Sequence, residues 1–457
     1  MRALLISTYE LGRQPFGLAS PAAWLRQANI EVECIDASRT PVPDALLASA
    51  DLTAFYLPMH TATRLASPLI QRARRLNAAA RLCAYGLYAP MNAEWLRSLG
   101  VDDVLDGEFE HDLAEIARAI GERQPLRSGR ETIARLSFRV PDRTGLPPLA
   151  RYAALELGDG RRKVVGYTEA SRGCRHLCRH CPIVPVYDGV FRVIQSNVVL
   201  DDIAAQVANG AEHVTFGDPD FFNGPTHAVR LVRALHEAHP DLTYDVTIKI
   251  EHLLKQRDLL PVLAETGCLF ITSAVESIDD RVLSLLAKGH TRQDFEDAVA
   301  VCRAGGLTLV PTFVAFHPWT TLDGYCDMLD TIAGLGLVDR VAPIQLAIRL
   351  LIPRGSRMLD IPEVTDLVQP FDPATLTYPW SHRDARVDAL QDEIMRMVGR
   401  QLNAERGPVF DAIRRLAYER AGRPERPMPT VAGLRTPFVS EPWYCCAEPS
   451  PEQLRMI

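Results

Sequence analysis

No stretch of this sequence stays apolar for the ~20 residues that a membrane span requires. The N-terminus, "MRALLISTYELG", offers an apolar run of only four residues, too short for the core of a secretion signal. These absences read as a soluble, cytoplasmic chain with no membrane partner. Positive charge is not in excess either. The formal net charge is −7, which leaves no electrostatic footprint for nucleic acid. There is no internal repeat and no dominant low-complexity segment. What the chain does have is cysteine: ten in 457 residues, more than packing needs. In a cytosolic protein, a tight cysteine cluster points to metal or catalysis before disulfides. Cys34, Cys83, Cys268, Cys302 and Cys326 stand singly and read as small buried hydrophobes. The remaining five form two groups, Cys174, Cys178 and Cys181, and the adjacent pair Cys445 and Cys446.

The length allows two or three domains. Over residues 1–122, short apolar strands such as "RALLI" and "DLTAFYLPM" alternate with helical spacing such as "LIQRARRLNAAA". That alternation predicts a Rossmann-like parallel sheet covered on both faces. Residues 123–163, rich in Arg, Pro and Gly, read as a surface linker. A second β/α series fills 164–355, with strands expected near 164–170, 212–217, 243–249, 268–275, 307–315 and 342–351. Six such units make a partial parallel (β/α)6 barrel, whose site lies at the C-terminal ends of the strands. Residues 356–422 are helical in period, and 423–457 form an extended tail.

Directly after the first expected barrel strand comes "SRGCRHLCRHCPI". Three thiolates spaced C-x3-C-x2-C in one loop reach three irons of one cubane cluster and leave the fourth iron open. A structural zinc site is the alternative, with His176 or His180 as its fourth ligand. Arg172, Arg175 and Arg179 flank the cysteines, and positive charge lowers a thiol pKa.

This spacing resembles the radical S-adenosylmethionine (SAM) superfamily. Five later stretches resemble its cobalamin-type branch in order: "HVTFGDPDFFNGP", "TYDVTIKIEHL", "CLFITSAVESIDDRVLSLLAKGHTRQDFEDAV", "LTLVPTFVAFHPWTT" and "IQLAIRLLIPRGS". The resemblance implies a [4Fe–4S] cluster on Cys174, Cys178 and Cys181, SAM at its open iron, and an electron donor such as flavodoxin or ferredoxin. It also implies Asp218 and Asp220 near the SAM amino group, Lys249, Glu251 and Glu276 near the ribose or amino-acid end, and Arg349 near the carboxylate. Each has a structural alternative: Asp218 as a turn cap, Glu276 paired with Lys249, Arg349 as a surface cation. Residues 1–122 resemble a cobalamin-binding domain in position and rhythm. The loop after the first strand, "STYELGRQPFGLAS", nevertheless lacks the histidine of that family's motif; the nearest, His60, follows a later strand. A degenerate domain used for packing is expected, with cobalamin bound without a protein ligand as the alternative.

The terminal "SEPWYCCAEPSPEQL" holds the vicinal thiols. A strained vicinal disulfide, two buried small residues, or a soft dithiol for a thiophilic ion are its three readings. "PWYCCAEP" resembles the signature of a radical SAM group with a CCAEP tail, similar to the enzyme of arsinothricin biosynthesis. The resemblance implies transfer of the 3-amino-3-carboxypropyl group of SAM to arsenite, with Cys445 and Cys446 binding As(III) and 5′-methylthioadenosine as by-product. Cys268, Cys302 and Cys326 are the candidates for a third thiol. The alternative is a 5′-deoxyadenosyl radical acting on an organic substrate, with the pair in redox or sulfur chemistry.

Overall fold

The computed structural model describes residues 1–125, 135–401, 404–427 and 437–440. Near the N-terminus, β1 (Arg2–Ser7), β2 (Glu31–Asp36), β3 (Leu52–Tyr56), β4 (Arg81–Tyr85) and β5 (Asp103–Val104) form one sheet in the order β2-β1-β3-β4-β5. Every pairing is parallel. Helices Phe16–Gln27, His60–Leu76 and Glu110–Glu122 intervene, so the central strands are buried and read as unbroken apolar runs. This is the expected doubly wound arrangement, with its strand order reversing between β1 and β3.

The second sheet holds seven strands: β6 (Ala154–Glu156), β7 (Arg162–Thr168), β10 (His213–Phe216), β11 (Thr243–Thr247), β12 (Cys268–Glu276), β13 (Thr308–Phe313) and β14 (Phe438–Val439). A separate small ribbon pairs β8 (Ser171–Gly173) with β9 (Phe191–Val193). The large sheet runs β13-β12-β11-β10-β7-β6-β14. From β7 to β13 the pairing is parallel, the curled half-barrel expected from the sequence. Residues 342–351 occupy the sixth position without forming a strand there. Pro343 opens a 3-10 turn, and one parallel bridge, Phe316 to Arg349, marks the place. The Gln345 side chain instead accepts a hydrogen bond from the Phe313 amide at 3.2 Å. The unbroken apolar run there reflects burial, which a strand and an irregular core segment share.

Two further departures concern segments expected to lie outside the barrel. The 123–163 segment contributes β6, antiparallel to β7. The tail then adds β14 antiparallel to β6, pairing Phe438 with Glu156 and Val439 with Leu155. Two reversals give β14 the direction of β7, so Phe438–Val439 runs toward the C-terminal end of the barrel. Helices Ala385–Gly399 and Arg406–Ala421 close the barrel flank, where Arg414 pairs with Asp330 at 2.9 Å. Among the described residues, no helix is long and apolar enough to cross a membrane.

The two sheets share a buried junction. Arg172 reaches Glu108 (2.9 Å), Glu110 (2.6 Å) and Glu169 (2.6 Å), while Phe16, Phe109 and Phe138 surround its guanidinium. One cation faces three carboxylates in a desolvated place, so not all of them ionise easily. Burial pushes the Glu108 carboxyl up from 4.5 to about 7, against the pull of Arg172. The folded chain therefore keeps a proton that the unfolded chain has released, and stability falls as pH rises between those two values. In urea titrations across that window, Glu108→Gln is expected to lose stability with pH less steeply than wild type. Equal slopes would remove Glu108 as a source of the dependence.

Candidate active site at the barrel mouth

The cysteine loop is held by a glycine. Gly173 has φ +73°, and a Cβ there would lie 2.4 Å from the Val190 carbonyl oxygen and 2.5 Å from the Tyr187 ring. Only glycine accepts both the left-handed backbone and this approach. It lets β8 pair with β9, so residues 174–190 form the closed end of a hairpin at the tip of β7. Cys174 and Cys178 are buried and Cys181 half-buried. The Cys181 amide donates to the Cys178 carbonyl at 3.1 Å.

The flanking arginines do not act as the sequence led us to expect. Arg172 is spent on its three glutamates, and Arg179 donates to the Leu285 carbonyl at 2.9 Å. Arg175 lies over the Phe191 ring at 4.6 Å. Burial pushes the Cys174 thiol up rather than down. Lys249 does approach the loop, with its Nζ 3.7 Å from Cys178 Sγ.

Among the described residues, the three thiols are not gathered within the 4.8 Å that would mark a single-ion site. Tetrahedral zinc would draw its thiolates to about 3.8 Å of one another, from Zn–S bonds of ~2.3 Å. Both histidines offered for zinc also have carboxylate neighbours. His180 Nε2 meets Glu276 Oε1 at 3.1 Å, and His176 faces Asp220 and Glu251. Separate corners of a cubane suit this donor set better than one ion.

The other expected site residues come to lie as follows. Asp218 accepts from the Ala170 amide (2.9 Å) and the Ser171 hydroxyl (2.5 Å), fastening the β10 loop to the cysteine hairpin. Burial pushes its carboxyl up to about 7. Asp220 caps the turn at Phe222 and faces His176 and His252. Glu276 ends β12 with φ +71°, paired with His180 and, at 3.5 Å, with Lys288. Burial opposes its charge, but Lys288 and His180 prevail and hold it at about 2. The sequence alternative that paired Glu276 with Lys249 is not formed; Lys249 lies 3.9 Å from Glu251. Arg349 turns to the C-terminal segment, stacked 3.7 Å over Trp380 and paired with Asp388 at 2.7 Å. Cys445 and Cys446 lie outside the described residues. The structure adds His252 and Lys288 at the mouth, beside His176, which the sequence offered only as a zinc ligand. "CRHLC", "IEHLL" and "AKGHT" were their only signals, and nothing in spacing tied these together.

Residues 168–332 match the radical SAM superfamily model. The chain carries a radical SAM domain. Such a domain works with a [4Fe–4S] cluster and SAM, and Cys174, Cys178 and Cys181 fit the cluster. A curated relative, the tRNA-2-methylthio-N(6)-dimethylallyladenosine synthase of Bacteroides thetaiotaomicron, is 29% identical over 174 residues, 35% of this chain and 38% of that protein. An uncharacterized methyltransferase of Pyrococcus horikoshii is 20% identical over 229 residues, covering 48% of this chain and 50% of its own. The chain thus spans half or less of these curated relatives. Among solved structures, the cobalamin-dependent SAM radical enzyme OxsB, with aqua-cobalamin and SAM bound, aligns with TM-score 0.69 at 15% identity, over 92% of this chain and 72% of that one. The radical SAM methyltransferase TsrM of Kitasatospora setae, with cobalamin and a [4Fe–4S] cluster, aligns at 0.64 and 19%, over 81% and 79%. At these identities the likeness is one of fold.

Those neighbours hold cobalamin, and this chain does not fit it. The C-terminal ends of β1, β3 and β4 carry Tyr9, Leu11, Met59, His60, Tyr88 and Met91, all less than 9% exposed. Apart from His60, these residues belong to one apolar cluster with barrel residues Ala170, Phe216 and Phe221. The crevice is filled by protein. His60 meets the Thr375 carbonyl, and burial holds its ring down to about 4.

Two outcomes follow from this geometry. Alanine at Cys174, Cys178 or Cys181 is expected to abolish SAM cleavage while far-UV circular dichroism stays unchanged. Full iron and sulfide content in the triple variant would refute the assignment. Added hydroxocobalamin is expected to leave the turnover of anaerobically reconstituted enzyme unchanged; strict dependence on it would show a binding route through the packed crevice.

Proposed function

We propose that this chain transfers the 3-amino-3-carboxypropyl group of SAM to trivalent arsenic, as in arsinothricin-type biosynthesis. The C–S bond to that group breaks, a carbon–arsenic bond forms, and 5′-methylthioadenosine leaves. The arsenic lone pair supplies the new bond, so As(III) becomes As(V) and the one electron that starts the cleavage is returned. The observation that supports this most is the direction of β14. Ser440 donates to the Ala154 carbonyl, and Ala154 lies opposite Val164. Val164 precedes the end of β7 by four residues. Five further residues reach Cys445, at most about 17 Å of chain. That reach suffices to carry the vicinal thiols to the level of the cysteine hairpin. Two neighbouring thiolates suit arsenite, a soft ion with high affinity for sulfur.

The cluster, when bound, supplies the electron that cleaves SAM. The protein's own part is to hold arsenite on Cys445 and Cys446 and to keep the mouth dry. None of the three single cysteines suits a third ligand. Cys268 begins β12 at the far end of the barrel, and Cys302 and Cys326 are buried in outer helices. Burial pushes the last two thiols up to about 12 and about 11. The tRNA substrate of the Bacteroides relative is not carried over, because a net charge of −7 offers no phosphate-binding surface.

Cys446→Ser is expected to weaken As(III) binding at least tenfold, because it removes an intramolecular second thiolate. The variant should keep its cluster and make little carbon–arsenic product. Arsenic bound per chain, product speciation and the nucleoside released are the measurements. Wild-type organoarsenical from the double Cys445→Ser/Cys446→Ser enzyme would reject the dithiol role. A wild type releasing only 5′-deoxyadenosine would point to hydrogen abstraction from an organic substrate.

A further inference from the structure

We propose that His176, His252 and Asp220 form a mononuclear site for a divalent transition-metal ion, distinct from the cluster and independent of the arsenic reading. His176 lies in the cysteine hairpin, Asp220 in the loop after β10, and His252 on the helix Ile250–Lys255 that follows β11. One ligand atom from each lies within 4.8 Å of the other two, the sole such trio among the described residues. Asp220 Oδ2 stands 2.7 Å from His252 Nδ1 and 3.4 Å from His176 Nε2. Bonds of ~2.1 Å to one ion set its ligands roughly 3.0–3.4 Å apart, so these separations suit a shared ion after small adjustment.

Distance alone would also describe a carboxylate clamped by two imidazoles. The orientation argues otherwise. His176 Nε2, His252 Nδ1 and Asp220 Oδ2 are all buried, and none makes a hydrogen bond. At 2.7 Å and 3.4 Å the two imidazole nitrogens are close enough to hold the Asp220 charge, and the carboxyl is kept below its usual range against its burial, yet neither contact is a well-formed hydrogen bond. Three polar atoms packed together without mutual hydrogen bonds are costly unless something else occupies them. The surrounding groups match a metal site as well. Asp220 Oδ1 is fixed by the Phe222 amide at 3.2 Å. The second nitrogen of His176, Nδ1, faces Glu251 Oε2 at 3.6 Å, the outer carboxylate that ligating histidines commonly have. Two imidazoles and one carboxylate select zinc or iron(II), and three protein ligands leave a coordination position for water or a substrate oxygen. The ion would tie together three loops that shape the mouth. It would also take Asp220 and Glu251 away from direct contact with SAM.

Cobalt(II) is the probe, because its visible spectrum separates nitrogen and oxygen ligands from thiolates. The full-length chain with Cys174, Cys178, Cys181, Cys445 and Cys446 changed to Ala carries neither the cluster nor the vicinal dithiol. It is expected to bind one cobalt per chain without thiolate charge-transfer bands, at least 100-fold more weakly after His252→Ala or the near-isosteric Asp220→Asn. Metal analysis of cluster-loaded wild type should find one divalent ion beyond the four irons, absent from the cluster-loaded Asp220→Asn chain. Cobalt bound only with thiolate bands, binding unchanged by both substitutions, or no ion beyond the cluster irons would overturn the site.

Discussion

Arg172 is the constraint on which the mouth depends. It stands two residues before Cys174 yet reaches Glu108 and Glu110 of the first domain. A guanidinium at 7% exposure is tolerable only with its charge matched, and three carboxylates over-match it. The first domain therefore anchors the base of the cluster hairpin. Asp218 performs the same task from the barrel side, binding Ala170 and Ser171 on the same stretch of chain. Between them, the two anchors fix the residues that precede the first cluster cysteine.

This division of labour gives the Rossmann-like domain a structural task of its own. Its switch point, where such sheets usually bind ligands, is packed against the barrel. Tyr9, Leu11, Met59 and Tyr88 contribute to the barrel's own apolar cluster. The fold shared with cobalamin enzymes is retained for its buried surface and for the acidic side of the Arg172 junction. Fold and cofactor can separate, because a crevice is emptied or filled by a few side chains without changing strand order.

The barrel edge has an analogous economy. A half-barrel leaves an unpaired strand at its rim, exposed to wrong pairing. Here β6 and then β14 cover the β7 edge. Covering that edge also sets the direction of β14 itself. Direction follows from two antiparallel pairings and needs no further contact.

The C-x3-C-x2-C loop, its place after a strand, the alternation of strands and helices and the missing first-loop histidine were legible in the sequence, because each depends on residues adjacent along the chain. Spacing alone could not say where charged side chains would be spent. Arg349 reads as a free cation until Trp380 and Asp388 stand beside it. Arg172, Arg175 and Arg179 read as one basic collar until each turns to a different partner. The 342–351 run reads as a strand because burial and strand formation leave the same apolar signature. His176, Asp220 and His252 come from three separate loops, and only closure of the barrel mouth brings them together. Local patterning determined the elements and the cluster motif. Long-range pairing, which trades the solvation of each charge for one particular partner, decided the rest.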